Sequence, residues 1–125
     1  DRVEDAIYAT KAALQEGIVP GGGIALLNAS QEISTSKAGE VLLNALPSPF
    51  KTILDNAGLE QTDIRPKKGL GVDVVTSKEV NMINSGIIDP VLVTKSALKN
   101  AVSVALTIMS ADCVISNIRV ENASS

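Results

Sequence analysis

The stretch EGIVPGGGIALL, Glu16 to Leu27, sets three consecutive glycines between a proline and an apolar run. Glycine in series gives up much backbone entropy and disfavours helix, so the run separates whatever precedes it from whatever follows. Two kinds of contact reward so bare a backbone. Glycines ahead of a helix let N–H groups approach an anion, and the helix N-terminus favours negative charge. A tight turn between two helices that pack closely needs the same absence of side chains. The run lacks the Lys and Ser/Thr of a P-loop and the preceding strand of a dinucleotide-binding turn, so taken alone it leaves both readings open.

Outward from the glycines, the pattern is mostly helical. Asp1 to Glu16 reads as a helix with Val3, Ala6, Ile7, Thr10, Ala13 and Leu14 as its buried stripe, stopped by Gly17. The chain opens inside that helix with no cap of its own, as a piece of a longer protein would. Ile24 to Gln31 predicts a second helix, packing through Ala25, Leu26 and Ala29, and Ser30 to Gly39 a polar loop. Glu40 to Leu46 is short, with Val41, Leu42 and Ala45 on one side. Pro47 and Pro49 break it, and Pro49 opens a further helix to Ala57, ended by Gly58. Periodicity is poor from Leu59 to Leu70. The Val-rich alternation from Gly69 to Gly86 predicts a short hairpin. Asp89 as N-cap and Pro90 as first helical residue open the final helix, with Leu98, Ala101, Val102, Ala105, Leu106 and Met109 as its apolar stripe. Cys113 to Val120 reads as an edge strand. The fold class is therefore mainly α with minor β.

Composition narrows the chemistry. The 125 residues suit one domain, and the 45% hydrophobic content is that of a globular chain with an aliphatic core, since aromatics are only Tyr8 and Phe50. A net charge of −3, with the only basic cluster at Arg65 to Lys68, argues against a nucleic-acid surface. No segment reads as a signal peptide or as the roughly 20 apolar residues of a bilayer span. The lone Cys113 has no internal disulfide partner, which fits a reducing compartment. With no histidine and one cysteine, no metal site is expected, and a Ser-His or Cys-His nucleophile is impossible. Carboxylates and backbone groups remain. Asp5 lies on the helical side of Ala9 and Ala12, where it could face a cleft and orient a water, or simply sit solvated near the positive end of the helix dipole.

At these residues the chain resembles a known family. DRVEDAIYATKAALQEGIVPGGGIALL, residues 1–27, is similar to the segment of GroEL-type (group I) chaperonins that re-enters the ATP-binding equatorial domain. VNMINSGIIDPVLVTKSALKNAVSVALTIMSADCVI, residues 80–115, resembles the end of that domain, and FKTILDNAG, residues 50–58, gives a looser match between them. The resemblance implies that residues 1–125 form the C-terminal portion of a helical equatorial domain, with a small hairpin and a C-terminal edge strand. The N-terminal equatorial half, the apical domain and most of the intermediate domain, and with them the GDGTTT phosphate loop and the metal-binding aspartate, would lie outside it.

The same resemblance implies roles. Asp5 falls where the family places the carboxylate that acts on the hydrolytic water. Gly21 and Gly22 fall where glycine backbone lines the nucleotide, and Ile53 at an apolar contact to the base. Asp73, Val74 and Val75 fall where a hairpin brackets adenine, a place where bacterial members usually carry Asn-Ala-Ala. Ile87 and Asp89 match an apolar contact and the ribose-binding carboxylate, and Cys113 to Ser116 a strand at the ring interface. The implied function is that of an ATP-dependent chaperone, an ATPase grouped with the isomerases, that assists folding inside a heptameric ring. ATP would be its ligand, with magnesium and potassium held mainly by residues outside this chain. Other subunits, unfolded clients and a co-chaperonin would be its partners, in bacterial cytoplasm or an organelle matrix, with neither nucleic acid nor membrane among them. Other classes stand beside it: a non-catalytic helical interaction module, an isolated fragment without ATPase activity, and an autonomous small nucleotide-binding protein.

Overall fold

The computed structural model describes residues 1–34, 37–59, 68–111, 113 and 115, the side chain of Ala38 excepted. The chain divides into two compact units, Asp1–Thr94 and Lys95–Ser125.

The first unit opens with α1, Arg2–Glu16. Alanines at 6, 9, 12 and 13 favour helix, and Glu4 and Asp5 in the first turn complement its dipole. It ends as expected at Gly17, left-handed at φ 86°, whose N–H donates to the Ala13 carbonyl at 2.8 Å. The side it turns inward is not the predicted one. Ala12 is buried and Ala9 and Ala13 half-buried, whereas Val3, Ile7 and Leu14 are 74%, 50% and 83% exposed. Large apolar side chains at helical spacing marked a surface-facing stripe, and the small ones made the contact.

After Gly17 comes a three-residue strand, β1 (Ile18–Pro20), then the glycine turn, α2 (Ile24–Glu32), α3 (Lys37–Ala45) and α4 (Ser48–Asn56). The polar stretch from Ser30 is thus mostly helix among its described residues, with Ile33 and Ser34 outside either helix. In α2 it is Ile24 and Leu27 that are buried, not Ala25, Leu26 or Ala29, and in α3 Val41 and Leu42 are exposed. Pro49 sits in the first turn of α4, where its missing N–H costs nothing.

The hairpin is present as β2 (Leu70–Asp73) and β3 (Lys78–Asn81), antiparallel, with Asp73 opposite Lys78. A turn-rich segment then leads to β4 (Ile88–Pro90), which pairs antiparallel with β1: Ile18 with Pro90, Val19 with Asp89, Pro20 with Ile88. This ladder was not legible in the pattern, because prolines at both ends keep it short. It moves Asp89 from the expected N-cap into a strand, and the final helix, α5, runs from Val91 to Met109. Ile24, Leu27, Phe50, Leu54, Val72 and Met82 form the core of this unit, with Leu59, Val80 and Ile87 packed against it.

Of the second unit, the described part is chiefly α5 from Lys95 onward. Leu98 and Val102 are half-buried; Ala101, Ala105, Leu106 and Met109 of the predicted stripe are exposed. By length and composition alone α5 is apolar enough to cross a membrane, at mean hydropathy 1.3, a test that core helices of soluble proteins also pass. The expected edge strand falls almost wholly outside the described residues; Cys113 and Ile115 are described and lie in no strand.

Candidate functional site

The glycine turn is built by close approach. Gly21 is buried, and its N–H donates to the Ile87 carbonyl at 2.9 Å. A Cβ added there would lie 3.1–3.2 Å from backbone atoms of Ile87 and Ile88. Gly22 and Gly23 are both left-handed, at φ 64° and 77°. A Cβ on Gly23 would stand 2.6 Å from the Phe50 nitrogen, and one on Gly22 would meet the tip of Met82 at 2.8 Å. The turn therefore packs tightly against protein, but it joins the strand β1 to α2 rather than two helices. It also delivers the first turn of α2, whose N–H groups have no partner within the helix.

A relay of backbone hydrogen bonds ties this turn to the hairpin. Met82 N–H donates to the Gly69 carbonyl (3.2 Å), Ile87 N–H to that of Met82 (2.8 Å), and Gly21 N–H to that of Ile87. Beneath it Met82 is 1% exposed. A Cβ on Gly71 would come within 2.6 Å of Ile24 and 2.7 Å of the Met82 sulfur, so hairpin, Met82 and α2 share one packed seam.

The candidate residues distribute over this frame as follows. Gly21, Gly22, Ile87 and Asp89 are brought together by the glycine turn and the β1–β4 ladder. Asp89 stands opposite Val19, and desolvation raises its carboxyl above the ordinary 3.8. Partial loss of water around this carboxylate makes incoming hydroxyl donors favourable. Asp73, Val74 and Val75 form the rim of the hairpin. One Asp73 oxygen accepts from the Val75 N–H (3.0 Å), the other from the Thr76 hydroxyl (2.8 Å). The Thr76 bond first, then the Val75 N–H, holds this carboxyl below its ordinary value. Ile53 is half-buried on α4, one turn beyond the Phe50 that packs on Gly23.

Asp5 is not brought into contact with the others. It is exposed in the first turn of α1, aligned with the inward side of Ala9 and Ala12, about 18 Å along the helix from Gly17 by the rise per residue. Nor does it line the shallow apolar depression on α1, which is formed by Arg2, Val3, Ala6, Ile7, Thr10 and Lys11.

Among the described residues no three of His, Cys, Asp or Glu converge as metal ligands. Three contributors were missed in the sequence. Gly23 was the third glycine of the run, Thr76 stands in an Asp-x-x-Thr spacing after β2, and Met82 gave no signal beyond being apolar.

A family model described as the TCP-1/cpn60 chaperonin family matches residues 1–119. Among solved structures, the chain is similar to one titled "Crystal structure of group III chaperonin in the open state", at 28% identity and a TM-score of 0.70. The likeness covers 83% of this chain and 25% of that one, so the chain spans about a quarter of that relative's length.

Proposed function

The chain belongs to the TCP-1/cpn60 chaperonin family, and from that premise we propose that it carries part of the ATP site of a chaperonin that assists protein folding. One observation supports this reading most: the two sequence blocks that resemble the family meet in space, Gly21 bonded to Ile87 and Val19 paired with Asp89. Glycine backbone, an apolar side chain and a carboxylate that would welcome hydroxyl donors stand together there, which suits a phosphorylated nucleoside. Gly21 and Gly22 admit the phosphates, Ile87 covers the sugar and base, Asp89 accepts from the ribose, and Ile53 and the hairpin rim at 73–75 hold adenine. Asp5 orients the attacking water, a role that gives the positioning phosphoryl transfer depends on but supplies neither phosphate clamp nor metal.

The finer reading, a group I ring in bacterial cytoplasm or an organelle matrix with a co-chaperonin and unfolded clients, rests on the sequence resemblance alone. Calorimetric titration of the chain with ATP tests the site. Asp89→Ala should weaken binding while leaving the fold in place, since the residue is exposed. Gly22→Val is a poorer probe, because φ 64° and the Met82 contact would disturb the turn itself. No saturable heat from the unsubstituted chain would reject the proposal.

A second reading, a helical interaction module without catalysis, draws on the exposed Val3, Ile7 and Leu14 of α1. Light scattering with and without ATP separates the two, since only the ATP site makes association depend on nucleotide.

A further inference from the structure

We propose that Met82 is a positioning residue: its side chain fills the space that Gly22 and Gly71 leave bare, and so locks the glycine turn to strand β2 as one unit. The consequence for a ligand rests on the nucleotide reading above; the lock itself does not. A Cβ on Gly22 would meet the terminal methyl of Met82 at 2.8 Å. One on Gly71 would stand 2.7 Å from the Met82 sulfur and 2.8 Å from its Cγ. The buried methionine thus lies across two glycine backbones, its tip on one and its middle on the other. Its main chain is committed to the same two places. The Met82 N–H donates to the Gly69 carbonyl (3.2 Å), one residue beyond the Leu70–Asn81 pair of the hairpin ladder. The Met82 carbonyl accepts from Ile87 (2.8 Å), and the Ile87 carbonyl accepts from Gly21 (2.9 Å). Side chain and backbone therefore reach the turn by separate routes. An unbranched thioether suits this gap, because a side chain branched at Cγ would press on Gly71 and fall short of Gly22. Gly22 stands at φ 64°, which glycine adopts about as readily as its mirror image, so the packing of Met82 selects its orientation. A shift of β2 is then passed to the backbone of Gly21 and Gly22, and a ligand seated on that backbone responds to it.

The chain carries two methionines, Met82 and the exposed Met109, so carbon-13 methyl labelling gives two signals that Met82→Leu assigns. Without nucleotide, the Met82 methyl should show a nuclear Overhauser contact to the Gly22 α-protons. Met82→Leu is close in volume and should keep cooperative urea unfolding. It should nonetheless move the Gly22 and Gly71 amide shifts together and weaken ATP binding about three- to tenfold. Replacing both methionines with norleucine, which keeps the unbranched reach without the sulfur, should restore shifts and affinity to within about twofold. Gly22→Ala should lower the urea midpoint less in Met82→Leu than in the parent, since the clash is relieved while the φ cost remains. A residue that merely supported the fold would lower the midpoint alone, leaving the Gly22 shift and the affinity of the folded chain unchanged. That result, or a Met82 methyl without contact to Gly22, would overturn the proposal. Norleucine behaving as leucine does would overturn it too, because reach would then not be what matters. If the unsubstituted chain binds no ATP while the methyl contact, the paired shifts and the Gly22→Ala coupling appear, the nucleotide reading fails and the lock stands.

Discussion

Gly21 donates its N–H to the Ile87 carbonyl at 2.9 Å, and even a Cβ there would crowd the Ile87 and Ile88 backbone at 3.1–3.2 Å. The glycine run is thereby explained by packing before any ligand is invoked. Gly21→Ala would press a methyl to 3.1 Å from that carbonyl and should cost about 1–2 kcal/mol. Gly23→Ala combines φ 77° with a 2.6 Å approach to the Phe50 backbone and should cost more, roughly 2–4 kcal/mol. Urea unfolding midpoints read the ranking. Equal midpoints would mean the turn is looser than described.

Acid should act on the two structured carboxylates in opposite senses. The Asp73 carboxyl is lowered by its loop bonds, so its contribution is present above the ordinary 3.8 and is lost as pH falls through the folded value. The Asp89 carboxyl is raised by desolvation, so between 3.8 and its folded value the folded state binds more protons and stability falls as pH rises. Asp89→Asn should therefore raise the thermal midpoint at pH 7, while Asp73→Asn should flatten the acid limb below about pH 4. Midpoints across pH 2.5 to 8, at fixed salt, check both signs.

How much of this was legible in the sequence follows from what each signal measures. Gly17, Pro49 and Gly58 marked helix boundaries because they act locally, and the hairpin showed because alternation is local too. The inward side of α1 was misread since Val3, Ile7 and Leu14 carry the periodicity, while contact is made by Ala9, Ala12 and Ala13, whose small size lets backbones approach. The β1–β4 ladder joins segments far apart in the chain, each only three residues long, so no window contained it. For the site, family resemblance supplied candidates that composition could not. The structure gathered Gly21, Gly22, Ile87 and Asp89 into one place and left Asp5 at the far end of α1.

Exposed apolar residues predict association. Ile7 and Leu14 on α1, 50% and 83% exposed, present apolar area to solvent on a side that Lys11 shares. The chain at high concentration should sediment as more than a monomer and brighten ANS. Replacing Ile7 and Leu14 together with Lys should shift sedimentation toward monomer. A dye-silent monomer before substitution would contradict this.

Hydrolysis should be absent from these 125 residues, which contain no GDGTTT phosphate loop. Phosphate release should stay at background. Steady turnover abolished by Asp5→Ala would instead place a complete ATPase site in this chain.

In the proposed site, the glycine turn, the β1–β4 ladder and the hairpin rim serve together to bind an adenine nucleotide. The most direct measurement is an amide-shift map of the isotope-labelled chain during titration with ATP. Saturable shifts concentrated at Gly21 to Ile24, at Asp73 to Val75 and at Ile87 to Asp89, with one shared dissociation constant, are the predicted result. No shifts at saturating ATP, or shifts confined to α1 and the outer part of α5, would contradict it.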